Sequence, residues 1–338
     1  MRAWVALSGG VDSAVAAALA RESGAEVVGV TLELGIDPGV VPAARDVASA
    51  LGIEHIVVDA AAEFEREVIG PFVRAYAAGV TPNPCVVCNE EIKLGLLLEA
   101  ARRGGADRLV TGHYARIVDT PDGRSVARAL DPGKDQSYFL YRVDREALAR
   151  IDLPLGLMTK DEVRAHAAAL GLPAADRPDS QDVCFLAGCA AGVFVAARKP
   201  DACVPGPILD TQGREIGVHH GLCHYTVGQR KGLPGGAGPW FVAEVDAGRN
   251  ALVVGAREAC ETRSVLVEDV IWPVSAPGVV SVCVRAGSAP VRATVVRSGG
   301  RLTLTLDEPV CAAPGQAAVC YDGDVVIGGG TIVKEHLR

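Results

Sequence analysis

The chain has 338 residues, 49% of them hydrophobic and 22% charged, which is the composition of a globular protein of about two or three domains. Disordered tails, collagen repeats and coiled-coil arrays are excluded. The formal net charge of −8 does not suggest a non-specific nucleic-acid binder, and it does not exclude a local basic groove. The acidity is uneven: residues 1–198 hold 20 basic and 27 acidic side chains, residues 199–338 hold 13 and 14.

In chain order, Ala3–Leu7 is a short apolar run ending at Ser8-Gly9-Gly10, and Ala14–Glu22 reads as a helix stopped near Gly24. Val27–Leu32 is a second strand pattern, Arg45–Leu51 a short helix closed by Gly52, and Ile56–Val58 a third strand. Phe64, Val68, Phe72 and Tyr76 fall at helical spacing within Glu63–Tyr76, Ile92–Ala101 is a further helix, and Arg108–Thr111 a further strand. Strands alternating with helices predict a doubly wound α/β parallel sheet, with ligands beyond the carboxyl ends of its strands.

The pattern changes at Lys199-Pro200, where Pro and Gly become frequent. Leu302, Leu304 and Leu306 alternate with Thr303 and Thr305, as in a half-buried strand, and Ser298-Gly299-Gly300 and Asp322-Gly323 are turn signals. The expected organisation is a catalytic α/β domain over 1–198, a small linking domain over 199–260, and an antiparallel β-barrel over 261–338.

No charge-free apolar run approaches the roughly 18 residues of a membrane helix. The N-terminal apolar run breaks at Gly9-Gly10, too early for a secretory signal core. A cytoplasmic protein is expected, with its ten cysteines reduced. Cys203, Cys223, Cys260, Cys283, Cys311 and Cys320 lie in β-like or small-residue contexts and read as small buried apolar side chains. Cys85, Cys88, Cys184 and Cys189 lie in polar, loop-like contexts.

Ser8-Gly9-Gly10-Val11-Asp12-Ser13 joins the first strand to the first helix. Two glycines allow a tight turn with N–H groups facing an anion, the serines add hydroxyls, and the helix start favours negative charge. It lacks the Gly-Lys-Ser/Thr of a Walker A loop and the spacing of a dinucleotide fingerprint. Asp12 inside a phosphate cradle calls for a cation, and Mg²⁺ between Asp12 and the phosphates is the simplest one. An ordinary capped glycine turn is the bland alternative.

In Thr81-Pro82-Asn83-Pro84-Cys85-Val86-Val87-Cys88, Cys88 falls near a helix start, where the dipole lowers a thiol pKa and makes a nucleophile. Three uses of the polar cysteines stand open: structural, a zinc site of Cys85, Cys88, Cys184 and Cys189, or sulfur chemistry between two thiols that meet in space.

The SGGVDS loop resembles the PP-loop of the N-type ATP pyrophosphatases, which transfer AMP to an oxygen. TPNPCVVCNEEIK, TGHYAR, KDQSYFL, DSQDVCFL and GQRKGL, in that order, resemble the tRNA-specific 2-thiouridylase family within that group. The resemblance implies ATP-dependent adenylation of O2 of the wobble uridine in tRNA for Lys, Glu and Gln, then sulfur transfer from a protein persulfide. It implies ATP contacts at Ala6, Leu7, Ser8, Gly9, Gly10, Val11, Asp12, Ser13, Leu32 and Gly112. It makes Cys88 the nucleophile and Cys184 the persulfide carrier, with a Cys88–Cys184 disulfide left after turnover. It implies that Asn83, Pro84 and Cys85 frame the target base, although many relatives have Asp where Cys85 stands. His113, Lys134, Asp135 and Gln136, and in the barrel Arg285 and Gln316, are the implied tRNA contacts. The implied sulfur source is a cysteine desulfurase or a relay carrier protein. Three other readings remain: another PP-loop adenylating ligase, a zinc-stabilised RNA-binding module without catalysis, and a thiol redox protein using Cys85-x-x-Cys88.

Overall fold

The apolar runs near the N-terminus form parallel strands, and the stretches between them form the helices that cover the sheet. The structure is a computed structural model, and it describes residues 1–173, 183–233, 239–273 and 275–334. It divides into two units. The first holds Met1–Val68, Cys85–Phe185 and Asp324–Val326; the second holds Ile69–Pro84, Leu186–Gly323 and the chain from Ile327.

In the first unit β1 (Arg2–Ala6) leads through the glycine loop into α1 (Val11–Glu22), then β2 (Glu26–Glu33), α2 (Val40–Leu51) and β3 (Glu54–Asp59). β4 (Arg108–Val110) follows; β5 (Arg116–Thr120) and β6 (Gly123–Ala127) form a hairpin, and β7 is Ile151–Asp152. The sheet order is β3-β2-β1-β4-β7, all parallel. From β1 the chain winds outward to β2 and β3 on one side and returns to β4 on the other. The crevice beyond the ends of β1 and β4 is therefore the switch point where such sheets bind ligands. Ala14, Ala16 and Ala17 of α1 are fully buried, and their short side chains let the helix lie close on the sheet.

The helix expected over Glu63–Tyr76 occurs with an interruption: Ala61–Phe64 and Gly70–Ala77 flank a π-helical turn at Glu65–Ile69. Pro71 has no N–H to donate back to Glu67, so the α-helical ladder cannot run through unchanged. The stretch expected as a helix over Ile92–Ala101 starts earlier. It runs as Pro84–Val87, a π-helical segment Cys88–Leu96, and Leu97–Arg103.

In the second unit β8 (Gly206–Asp210), β9 (Glu215–His219), β10 (Phe241–Asp246) and β11 (Ala251–Gly255) form a sheet in the order β10-β11-β8-β9. Ile208, Leu222, Val242 and Leu252 fill its core. Then come β12 (Thr262–Ile271), β13 (Val279–Cys283), β14 (Val291–Ser298), β15 (Arg301–Val310), β16 (Ala317–Asp322) and β17 (Val325–Val333). Their order is β12-β15-β14-β13-β16-β17, and β17 pairs back onto β12, closing an antiparallel barrel. Leu302, Leu304 and Leu306 all point into it, at 0%, 0% and 2% exposure. Among the described residues, no helix is long and apolar enough to cross a membrane.

The cysteines depart from expectation at one pair. Cys203 and Cys223 form a disulfide with Cα atoms 6.0 Å apart. The reading of both as reduced apolar side chains is corrected: the turn at Leu222–His224 brings Cys223 to the segment before β8, within bonding range. Cys260, Cys283 and Cys320 are buried thiols, as expected, and Cys311 is half-buried with its Sγ 2.6 Å from that of Cys260.

Candidate functional site

The SGGVDS loop sits at the carboxyl end of β1 and is tied to itself. Ser8 N–H donates to Ser13 Oγ (3.2 Å), whose hydroxyl donates to the Gly10 carbonyl (2.9 Å). Leu32 lies near the carboxyl end of neighbouring β2 and is half-buried. Gly112 follows β4 and packs against the start of α1. A Cβ there would lie 2.9 Å from both Asp12 C and Ser13 N, so only glycine permits this approach. The sheet thus brings Ala6–Ser13, Leu32 and Gly112 to the ends of adjacent strands.

Asp12 carries the electrostatic problem foreseen in the sequence, and the structure meets it with side chains. Lys160 Nζ donates to Asp12 Oδ1 at 2.6 Å and Tyr114 Oη donates to the same oxygen at 2.8 Å. Lys160 opens the helix α3 (Lys160–Ala169), is buried at 7% exposure, and lies over the Tyr114 ring. Thr159 and Glu162 form a capping box that fixes the start of that helix. Tyr114 is pinned in turn: its N–H donates to Gln136 Oε1 (2.9 Å), and Gln136 N–H donates to the Tyr114 carbonyl (2.8 Å).

Asp135 is held inward rather than displayed. Its carboxylate accepts from the N–H groups of Ala129 and Ser137, the Ser137 hydroxyl and Arg128. Lys134 beside it is half-buried. His113 is 9% exposed, with Nδ1 2.8 Å from Thr111 Oγ1. Burial first, then the Lys93 ammonium, push its pKa down to about 3. This imidazole is neutral at physiological pH, so it has no positive charge to offer a phosphate.

The cysteine site lies on the π-helical segment that begins at Cys88. Cys88 is 6% exposed, and burial pushes its thiol up to about 11. The Lys93 ammonium pulls it down, while Cys184 and Cys85 push it further up. Cys85 is raised by the same causes, burial first. The expectation of a thiol pKa lowered by a helix start is therefore corrected: Cys88 follows a turn of helix already formed by Pro84–Val87, and burial raises its thiol. Cys184 is exposed, in a short turn anchored by Phe185 edge-on to Phe64 at 5.9 Å. The fold thus brings Cys85, Cys88 and Cys184 within electrostatic reach of one another although 96 residues separate Cys88 from Cys184 in the sequence. The Asp179–Asp182 part of the second cysteine motif lies outside the described residues.

The Cys88 segment is braced by its next two residues. Asn89 Nδ2 donates to the Phe139 carbonyl at 3.1 Å, and Arg142 Nε donates to Glu90 Oε2 at 2.6 Å. Among the described residues, the group of potential metal ligands whose atoms gather within 4.8 Å is Cys203, Cys223 and His224, and its two sulfurs are bonded to each other. It contains none of Cys85, Cys88, Cys184 and Cys189, so the four-cysteine zinc arrangement has no geometric counterpart there.

In the second unit Asn83 and Pro84 end a loop whose preceding carbonyls, those of Thr81 and Pro82, accept from Gln316 Nε2 at 3.0 and 3.2 Å. Arg285 is exposed just beyond β13.

Two lysines were missed in the sequence. Lys160 gave a signal in the Thr-Lys-Asp-Glu capping pattern, but nothing local reveals that it reaches Asp12. Lys93 lay inside a recognised motif, and only the fold shows that its charge reaches Cys85, Cys88 and His113 together.

Three family models tile the chain: a tRNA methyl transferase HUP domain over residues 1–188, a tRNA methyl transferase PRC-barrel domain over 193–256, and an aminomethyltransferase β-barrel domain over 262–332. By fold and by these matches it is a HUP-type α/β protein with two appended β modules. It is 47% identical to the tRNA-specific 2-thiouridylase MnmA of Chloroflexus aurantiacus, with 98% of each chain covered. It is 46% identical to that of Acidiphilium cryptum, over 98% of this chain and 100% of the relative, and 47% identical to that of Moorella thermoacetica, over 97% and 98%. The chain belongs to the tRNA-specific 2-thiouridylase MnmA family.

Proposed function

We propose that this protein is a cytoplasmic tRNA-uridine 2-sulfurtransferase that makes 2-thiouridine at the wobble position of tRNA for Lys, Glu and Gln. The observation that carries the reading is the occurrence in one α/β unit of a phosphate loop at the sheet's switch point and a cysteine cluster spanning two distant motifs. An adenylating ligase for a small molecule needs only the first.

O2 of uridine is a poor leaving group. Adenylation by ATP releases pyrophosphate and leaves O2 bonded to AMP, which opens C2 to attack. In this reading Ala6–Ser13, Leu32 and Gly112 hold ATP, and Lys160 offsets the Asp12 charge beside the phosphates. Asp12 would help hold the Mg²⁺ that accompanies ATP, and the ion would supply charge neutralisation there. Asn83, Pro84 and Cys85 frame the base once it leaves the anticodon stack.

Cys184, exposed and so open to a donor protein, receives the persulfide sulfur from a cysteine desulfurase or relay carrier. Its terminal sulfur adds to C2, and AMP departs with O2. The Cys88 thiolate attacks the inner sulfur of Cys184. That frees the sulfur on C2 as 2-thiouridine and joins Cys88 to Cys184, and a reductant returns two electrons to reopen the disulfide. Lys134 and Arg285 stand as candidate RNA contacts, while the Gln316 amide donates to the Thr81 and Pro82 carbonyls; Asp135, Gln136 and His113 serve the site through internal hydrogen bonds. The division of labour proposed is residues 1–198 for catalysis, 199–260 for linkage and 261–338 for tRNA.

The test is ATP consumption with purified protein. AMP and pyrophosphate should form only when an unmodified substrate tRNA is present, and ATP turnover indifferent to tRNA would remove the reading.

A further inference from the structure

We propose that Gln316 is a positioning residue that fixes the Thr81–Pro84 loop through its side-chain amide, and that the barrel thereby sets the conformation of the segment leading to Asn83 and Pro84. The significance of that segment for catalysis rests on the function proposed above; the clamp itself does not.

The loop is short of hydrogen-bond donors of its own. Pro82 and Pro84 have no N–H, so the carbonyls around them need a donor from elsewhere. Gln316 supplies one nitrogen with two hydrogens, placed 3.0 Å from the Thr81 carbonyl and 3.2 Å from the Pro82 carbonyl. The neighbouring contacts converge on the same place. Thr81 N–H donates to the Pro314 carbonyl at 3.0 Å, and Thr81 Oγ1 lies 2.9 Å from Thr226 Oγ1.

The turn that carries Gln316 is itself tied to β17. Gly315 N–H donates to the Ile332 carbonyl and Ile332 N–H to the Gln316 carbonyl, both at 2.8 Å. At Gly315 φ is +91°, and a Cβ would lie 2.4 Å from Val80 Cγ1 and 2.8 Å from the Thr81 carbonyl oxygen. The turn and the loop are in contact at a distance that admits no side chain. A residue in this position acts on the reaction by holding backbone, with its donor hydrogens already committed to protein carbonyls.

The test uses the full chain with Gln316→Met and Gln316→Glu, which remove the donors, and Gln316→Lys, which keeps a donor. Two quantities are read: hydrogen exchange of the amides of Gly79, Val80, Thr81 and Asn83 without tRNA, and steady-state thiolation against tRNA concentration. In the Met and Glu variants the loop amides should exchange about tenfold faster, the size of one lost hydrogen bond, while β15 keeps its protection. Thiolation kcat should fall about as much, with KM for tRNA within about twofold, and Gln316→Lys should recover both. Unchanged loop exchange in the Met and Glu variants would overturn the proposal, as would a raised KM with kcat intact, which is the signature of a direct RNA contact. If the Met and Glu variants lose the barrel, Gln316→Lys decides: slow loop exchange supports the clamp and fast exchange refutes it. A wild-type chain that never thiolates would refute the function while the exchange data still judge the clamp.

Discussion

Lys160 Nζ lies 2.6 Å from Asp12 Oδ1, bridging 148 residues of sequence to put an ammonium at the base of the glycine loop. An uncompensated carboxylate would repel an incoming triphosphate, and an ammonium buried beside it removes most of that repulsion. Replacing Lys160 by Met should reduce tRNA-dependent AMP formation by about 100-fold, the usual cost of losing one charged group that stabilises a transition state. Lys160→Arg should recover part of it. The variants Asp12→Asn and Lys160→Met should be markedly non-additive when combined, because each removes the other's partner. Additive losses in AMP formation would show that the two residues act separately.

Cys88 should behave as an unreactive thiol in the free protein. With its pKa pushed up to about 11 by burial, only a small fraction is thiolate at neutral pH. Its alkylation rate should therefore rise about tenfold per pH unit from 7 to 9. Lys93→Met removes a charge that lowers this pKa and should slow alkylation at every pH in that range. Mass-spectrometric peptide mapping of iodoacetamide adducts gives both rates, and a midpoint near 7 would contradict the assignment.

Cys88→Ser and Cys184→Ser should each abolish thiolation while tRNA binding and tRNA-dependent AMP release persist, because adenylation precedes the sulfur steps. Activity surviving in either variant removes that cysteine from the route.

His113 makes stability depend on pH. Its folded pKa is about 3, below the unfolded value near 6.5, so the unfolded chain binds the extra proton between them. The stabilisation is complete above pH about 6.5 and declines below it, by at most about 1.4 kcal/mol per pH unit. Denaturant unfolding at pH 7.5 and 5.5 should show a loss that shrinks in His113→Gln. An equal loss in both proteins would place the sensitivity elsewhere.

Periodicity and turn residues made the architecture legible. The Leu302, Leu304, Leu306 alternation gave a barrel strand, and the run from Ala3 to Thr111 gave a parallel sheet with its glycine loop at a strand end. Such patterns are local and recur within a few residues. The π-helical segments at Glu65–Ile69 and Cys88–Leu96 were not visible, because they leave the apolar spacing nearly unchanged while altering which backbone groups bond. The environment of Cys88 was misjudged for a related reason: helix position is local, whereas burial comes from segments distant in sequence. The Cys203–Cys223 bond and the reach of Lys160 and Gln316 are likewise products of chain crossings that no window of sequence records.

The measurement that bears most directly on the account is thiolation of an unmodified tRNA-Glu transcript, with ATP, Mg²⁺ and a persulfide donor, read by mass spectrometry of the anticodon fragment. Replacement of one oxygen by sulfur on the wobble uridine, with one AMP released per sulfur gained, is the predicted result. AMP release with no sulfur incorporated, or sulfur incorporated without ATP, would contradict it.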